Sequence, residues 1–485
     1  MLLITLTGAV LALIIGGAYL TNPFSRYTLI RRTYRAEMVD GIVKAIDENN
    51  KLIISQNLPL RLFAILKNGV HILSSRWHKS PASNATTMRG IIDDIYDLRF
   101  DPTKLLLTSG DHFSALFVRN LGVFYYPVLD PALPAGERRW HDRQIVYLQT
   151  LAYALGVFAK HNTVTTTIVP TGRHRATCVN FYAYPSDTLY GMLFALASLL
   201  GKQTAQPATY SKNLHALDTI PAAKLLLKTY QESLTGHYER YRQHVFDKNT
   251  GLVSTDIVMS GAKDITKRRS AFYDNVIYWK TTELSMVLGL IPWDKALLRE
   301  LKDHIIDSFW LDEEGYFLED LSKEGKLQKF YSSDWLIVLA TGFLSPENEN
   351  ERHYFERSIG YIQRMKIDRP FAIKYQHETR AHRQFLAVRL AVASYGGDSI
   401  WSFWGMEYIK SLLLLYRATH KTEYLKSADF HIKKYRAAML RDKGFPEVYD
   451  NRGNLLETPL YRSIRQTGWV IGFEQVLEMR NSISS

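Results

Sequence analysis

From residue 143 to the end of the chain, apolar residues recur at three- and four-residue spacing in one segment after another. Helices are predicted over 143–160, 187–201, 221–243, 275–290, 294–308, 334–343, 350–366, 382–395, 401–418, 421–440 and 465–480. Gly and Pro punctuate the gaps, and several gaps are long: 162–180, 244–272, 310–332 and 443–463. Helix pairs joined alternately by short and long connections fit a closed helical toroid. The short loops then gather on one rim and the long loops build a site on the other. An open solenoid would need internal repeats, and no block of the chain repeats another. Strand signals are few; "HNTVTTTIVP", 161–170, predicts a small hairpin. Apart from "KSPASNATT", 79–87, no Pro- or Ser-rich linker divides the chain. The expectation is therefore an all-α toroid formed by one large domain over 76–485.

The N-terminus reads differently. "LLITLTGAVLALIIGGAYL", residues 2–20, carries no charge. At 1.5 Å per residue it matches the hydrocarbon core of a bilayer. No Lys or Arg precedes it, as a secretory signal would require, whereas Arg26, Arg31, Arg32 and Arg35 follow it. The expectation is a transmembrane anchor at 1–22, a juxtamembrane and helical segment at 23–75, and a large domain on the cytoplasmic side. The alternative is a cleaved signal and a secreted or cell-surface protein.

The net charge of +12 raises nucleic acid as a partner, with further basic clusters at "GRHR", 172–175, and "KDITKRR", 263–269. There is no zinc-finger spacing, aromatic RNA-binding signature or basic zipper, so no nucleic acid is expected. The single cysteine, Cys178, excludes an internal disulfide and reads as a small core residue. The 29 Tyr and 9 Trp suit both large helix interfaces and flat sugar faces. No sequence signal sets the oligomeric state.

Near the C-terminus, "GFPEVYDNRGN", 444–454, breaks a clean helical pattern and sets Glu447 among Phe445, Pro446 and Tyr449. The stretch from Gly444 to Met479 resembles the closing segment of six-hairpin, (α/α)6-barrel glycoside hydrolases, and most closely the neutral/alkaline invertases. Their Pro-Glu-Tyr-Tyr-Asp loop corresponds to Pro446, Glu447, Val448, Tyr449 and Asp450. Tyr461, Gln466, Thr467 and Trp469 follow as counterparts. "FYDNVIYWKTTELSMVLGL", 272–290, is similar to the family's Val-Asp-Ser-Gly-Leu-Trp-Trp segment through Asp274 and Trp279. "FSALFVRNLGVFYYP", 113–127, resembles its sugar-holding loop, with Arg119 matched and Asn120 standing where the family has Asp. "YGGDSIWSFWGMEYIKSLLLLY", 395–416, with Trp401 and Trp404, resembles the start of a late barrel helix.

The resemblance implies Glu447 as general base and Asp274 as general acid. It also implies a sugar held by Arg119, Asn120, Trp279, Trp401, Trp404, Tyr449, Gln466 and Trp469, with no metal and no cofactor. An inverting hydrolase of an α-glucoside or sucrose-like carbohydrate follows. Glycoside cleavage needs one carboxyl to protonate the leaving oxygen and another to activate water or to attack. The apolar neighbours of Asp274 would bury it and raise its pKa, as an acid requires.

Plainer readings compete. Asp274 could cap a helix; Asp187, Asp334 and Asp398 share that setting and are the replacements for it. Glu447 could pair with Arg462 or Arg465. The tryptophans could be core. "HETRAH", 377–382, has its histidines five apart, which is not zincin spacing. The rival function is a non-catalytic toroid at the membrane that binds a glycan or a protein.

Overall fold

The computed structural model describes residues 53–54, 58–77, 82–101, 113, 115–129, 137–172, 175–180, 182, 184–202, 220–259 and 261–484. The expected anchor at 2–20, the arginines at 26–35 and Arg173–His174 lie outside the described residues. Among the described residues no helix is long and apolar enough to cross a membrane.

The chain is mostly helical. Six helices form an inner ring: α3 (Glu137–His161), α4 (Thr188–Leu199), α6 (Phe272–Val287), α9 (Ile337–Thr341), α12 (Ser402–Thr419) and α14 (Val470–Ser484). Every residue of α4 is buried, and so are all those from Ser402 to Leu415 in α12. A helix apolar all round belongs inside a protein. Outside them lie α2 (Met88–Arg99), α5 (Ile220–Val245), α7 (Lys295–Phe309), α10 (Arg352–Arg364) and α13 (Thr422–Asp442). These bury one stripe each; in α7 it is Leu298, Leu301, Ile305 and Phe309. Side-chain caps fix two of their starts. Thr87 accepts the Gly90 N–H at 3.1 Å and Asp294 the Leu297 N–H at 2.9 Å.

The remaining helices among the described residues are α1 (Leu58–Leu73), α8 (Lys323–Gln328) and α11 (Leu386–Val392). The hairpin expected near 161–170 is present as β3 (Thr167–Gly172) and β4 (Arg175–Val179). It belongs to a sheet in the order β1-β4-β3-β2, completed by β1 (Ile53–Ile54) and β2 (Leu116–Phe117). Three two-stranded ribbons sit in the long loops: β5 (Phe246–Asp247) with β6 (Leu252–Val253), β7 (Trp310–Leu311) with β8 (Tyr316–Phe317), and β9 (Ile400–Trp401) with β10 (Val448–Tyr449).

Two predicted helices are cut short, for reasons visible in the backbone. The segment 382–395 begins as helix only at Leu386. Before that, the Phe385 N–H donates to the Ile265 carbonyl, and the Arg383 carbonyl accepts the Lys267 N–H at 2.9 Å. The segment 465–480 begins at Val470 because the Thr467 N–H donates to the Phe445 carbonyl at 3.1 Å. Both segments give their backbone groups to the loops that build one rim.

Candidate active site

That rim lies at the N-terminal ends of the inner helices, where backbone N–H groups and helix dipoles favour oxygen-rich ligands. A cavity of about 220 Å³ opens there, lined by loops of four different connections. Arg119 comes from the turn Val118–Leu121, Asp264 from the loop before α6, Tyr395 and Trp401 from the entry to α12, and Glu447, Tyr461 and Trp469 from the entry to α14.

Glu447 is held by its backbone. Its N–H donates to the Ile464 carbonyl at 2.9 Å, and its carbonyl accepts the Ser402 N–H at 3.1 Å and the Ser402 hydroxyl at 3.0 Å. Antiparallel pairing of Val448 with Trp401 sets the loop beside the first turn of α12. The side chain is buried and takes a hydrogen bond from the Tyr395 hydroxyl at 3.2 Å. Arg462 pairs with Glu457 at 2.9 Å rather than with Glu447.

Three aromatic rings form one wall. Trp469 stacks on Phe124 with centroids 4.9 Å apart and on Trp401 at 5.8 Å. The Trp469 indole N–H is buried and has no hydrogen-bond partner among the described residues. Gly468 permits this seat, since a Cβ there would lie 2.4 Å from the Tyr125 ring.

The second carboxylate on the cavity wall is Asp264, not Asp274. Arg119 donates to Asp264 at 2.8 Å and to the Gly261 carbonyl at 3.0 Å. Asp274 lies one layer deeper, in the first turn of α6, fully buried, with its Oδ1 accepting the Gly261 N–H at 3.1 Å. Burial pushes its pKa up to about 6, against the pull of Arg268. The group does not line the cavity. Its place is below the 261–264 loop, which it holds against α6. Gly261 makes that approach possible, because a Cβ there would lie 2.1 Å from the Tyr273 ring.

The replacements for Asp274 also miss the cavity. Asp187 accepts the Tyr273 hydroxyl at 3.0 Å, Asp334 accepts Arg268 at 2.6 Å, and Asp398 accepts Thr379 at 2.7 Å. Asp187, Asp274 and Asp334 form a buried acidic layer at the starts of α4, α6 and the turn before α9. The signal for Asp264 was in the sequence. It stands three residues after Gly261 in the long loop feeding an inner helix, inside the basic run 263–269.

Of the sugar-holding candidates, Arg119, Trp401 and Trp469 line the cavity, and five do not. Asn120 is buried behind Arg119. Trp279 faces outward to α7 and donates to the Leu298 carbonyl at 2.9 Å. Trp404 turns away from Trp401 into the barrel, against Tyr273 and Tyr375. Tyr449 packs on Phe371 and Tyr435. Gln466 is buried in the bridge to Phe445. Helical and strand geometry explains these misses, since neighbours in sequence point to different sides. No group of three or more metal-ligating side chains occurs among the described residues.

A buried ionic cluster backs the Asp264 loop. Glu319 accepts Lys263 at 2.6 Å, Arg380 at 3.1 Å and Arg383 at 3.1 Å. Burial would raise the Glu319 pKa, but Lys263 and the arginines outweigh it and hold it at about 2. Burial lowers Lys263 to about 8.

No family model matches the sequence, and no curated protein matches it. Solved structures do match in shape. A rhamnosidase from Klebsiella oxytoca with rhamnose bound aligns with a TM-score of 0.50 at 14% identity, over 84% of this chain and 67% of that one. A mannosylglycerate hydrolase from Thermus thermophilus aligns at 0.48 and 10% identity, over 80% of this chain and 99% of that one. A cellobiose 2-epimerase from Spirochaeta thermophila aligns at 0.43 and 13% identity, over 83% and 99%. The match to the rhamnosidase shows a shared fold, the (α/α)6 toroid.

Proposed function

We propose that the protein is a glycoside hydrolase, with Glu447 as the base and Asp264 as the acid. One observation carries this reading: two carboxylates from separate long loops line a single cavity beside the stacked Trp401 and Trp469. Hydrolysis of a glycoside requires that pair of groups. The described lining residues include no imidazole, so carboxylates are the groups at hand for moving protons. Arg119 holds Asp264 and borders the sugar site, and Asp274 positions the loop that carries both contacts. An inverting course and an α-glucoside or sucrose-like substrate remain part of this reading through the likeness of the Glu447 loop to invertases. The N-terminal run at 2–20 would anchor the enzyme, with the toroid on the cytoplasmic side; protease accessibility in intact cells tests that placement.

The deciding experiment is a hydrolysis panel on the full chain with sucrose, trehalose, malto-oligosaccharides and aryl glycosides including rhamnosides, beside Glu447→Gln. Turnover lost in a folded variant supports the assignment, and NMR of the first-formed anomer reports inversion or retention. Sugar binding without turnover, unchanged by the substitution, would make the toroid a glycan receptor.

A further inference from the structure

The cavity lining is mostly apolar. Glu447, Asp264 and Arg119 supply the charge, while Ile72, Leu73, Phe113, Phe117, Val388 and Val392 supply the sides. The apolar surface does not end at the mouth. On α1, Gly69, Ile72 and Leu73 border the cavity, and Leu62, Ile65 and Leu66 precede them at helical spacing. Leu62 is 56% exposed and Leu66 65%. On α11, Ala387, Val388 and Val392 line the cavity, while Leu386 and Leu390 lie on the opposite face of that helix and are not part of the lining. An apolar track therefore leaves the carboxylates and runs onto the surface. Along α1, from Leu73 back to Leu58, it is roughly 20 Å long at 1.5 Å per residue.

A polysaccharide chain has hydroxyls along its whole length and gains little from such a track. An alkyl chain gains about 0.8 kcal/mol, or about fourfold in affinity, for each methylene buried. We infer that the substrate is an amphiphilic glycoside, whose sugar sits at Glu447, Asp264 and Arg119 and whose linear apolar aglycone lies along α1. This rests on the glycoside reading of the cavity and names the chemical class of its leaving group. In the cleavage, the glycosidic C–O bond breaks, the departing lipid alcohol takes the proton of the protonated form of Asp264, leaving a carboxylate that Arg119 pairs, and water adds to the anomeric carbon as Glu447 takes its proton.

The test is photolabelling of the full chain with alkyl glucosides that carry a terminal diazirine, read by peptide mass spectrometry. A butyl chain is expected to label the cavity end of the track, around 69–73. A dodecyl chain is expected to label 58–66. Leu62→Glu with Leu66→Glu, both at exposed positions outside the core, should lower dodecyl labelling at least tenfold and leave butyl labelling in place. Labelling in Glu447→Gln should equal that of the parent chain, which separates binding from turnover. Dodecyl label confined to other surfaces, or a pattern indifferent to chain length, overturns the inference. Turnover of unmodified oligosaccharides with no labelling of the track overturns it too, while leaving the hydrolase reading intact. Label on the track without any turnover upholds the amphiphile site and removes the hydrolase.

Discussion

The Tyr395 hydroxyl donates to Oε1 of Glu447 at 3.2 Å, across the junction where β9 meets β10. Tyr395 also packs edge-on against Trp401 at 4.9 Å and Tyr461 at 5.5 Å. One phenol thus ties the proposed base to the aromatic wall. A hydrogen bond to a charged group is worth about 1.5–3 kcal/mol. Tyr395→Phe is accordingly expected to lower kcat/KM by about 10- to 100-fold. Glu447→Gln should cost about 10²- to 10⁴-fold, the usual worth of a general base. Steady-state kinetics on whichever panel substrate turns over, with circular dichroism to check folding, would measure both. Equal and small losses would place the base elsewhere.

Asp264 and Asp274 separate by leaving group. If Asp264 protonates the departing oxygen, Asp264→Asn should lose about 10²- to 10⁴-fold on alkyl glycosides and little on dinitrophenyl glycosides, which need no acid. Asp274→Asn should lower both substrates by a similar modest factor, because it acts through the position of Gly261. The opposite pattern would return the acid role to Asp274.

The raised pKa of Asp274 has a consequence for stability. Its folded value of about 6 lies above the ordinary carboxylate range, so the unfolded chain gives up this proton first as pH rises. Below about pH 4 the group is neutral in both states and costs nothing; between about 4 and 6 stability falls, by something of order 2–3 kcal/mol in total. Urea unfolding of Asp274→Asn should show the variant gaining on the parent chain from pH 4 to pH 7. A constant difference across that window would mean that the carboxyl ionises normally in the fold.

Glu319 has the opposite sign. Its depressed pKa contributes stability above the ordinary carboxylate range, lost as pH falls toward about 2. Glu319→Gln would leave Lys263, Arg380 and Arg383 buried without their shared anion. Breaking a buried ion pair costs about 3–5 kcal/mol. Chemical denaturation should show that loss, accompanied by reduced activity as the Asp264 loop relaxes. A loss below 1 kcal/mol would mean that water or rearrangement replaces the carboxylate.

The order of helices, the hairpin near 161–170 and the loop that carries Glu447 were legible in the sequence, because each depends on short-range pattern. Apolar spacing at three and four residues fixes which side of a helix is buried. A Pro-Glu step among aromatics marks a loop that ordinary helix packing does not explain. Which acid faces Glu447 depended on depth, which local pattern does not encode. Asp264 and Asp274 are ten residues apart, and both precede or begin α6. Only the close approach of Gly261 to Tyr273 lifts one to the cavity and leaves the other beneath it. The same holds for Trp401 and Trp404, three residues apart, of which one lines the cavity and one fills the barrel. Closure of the ring decided these matters, since it turns positions along a chain into layers around an axis.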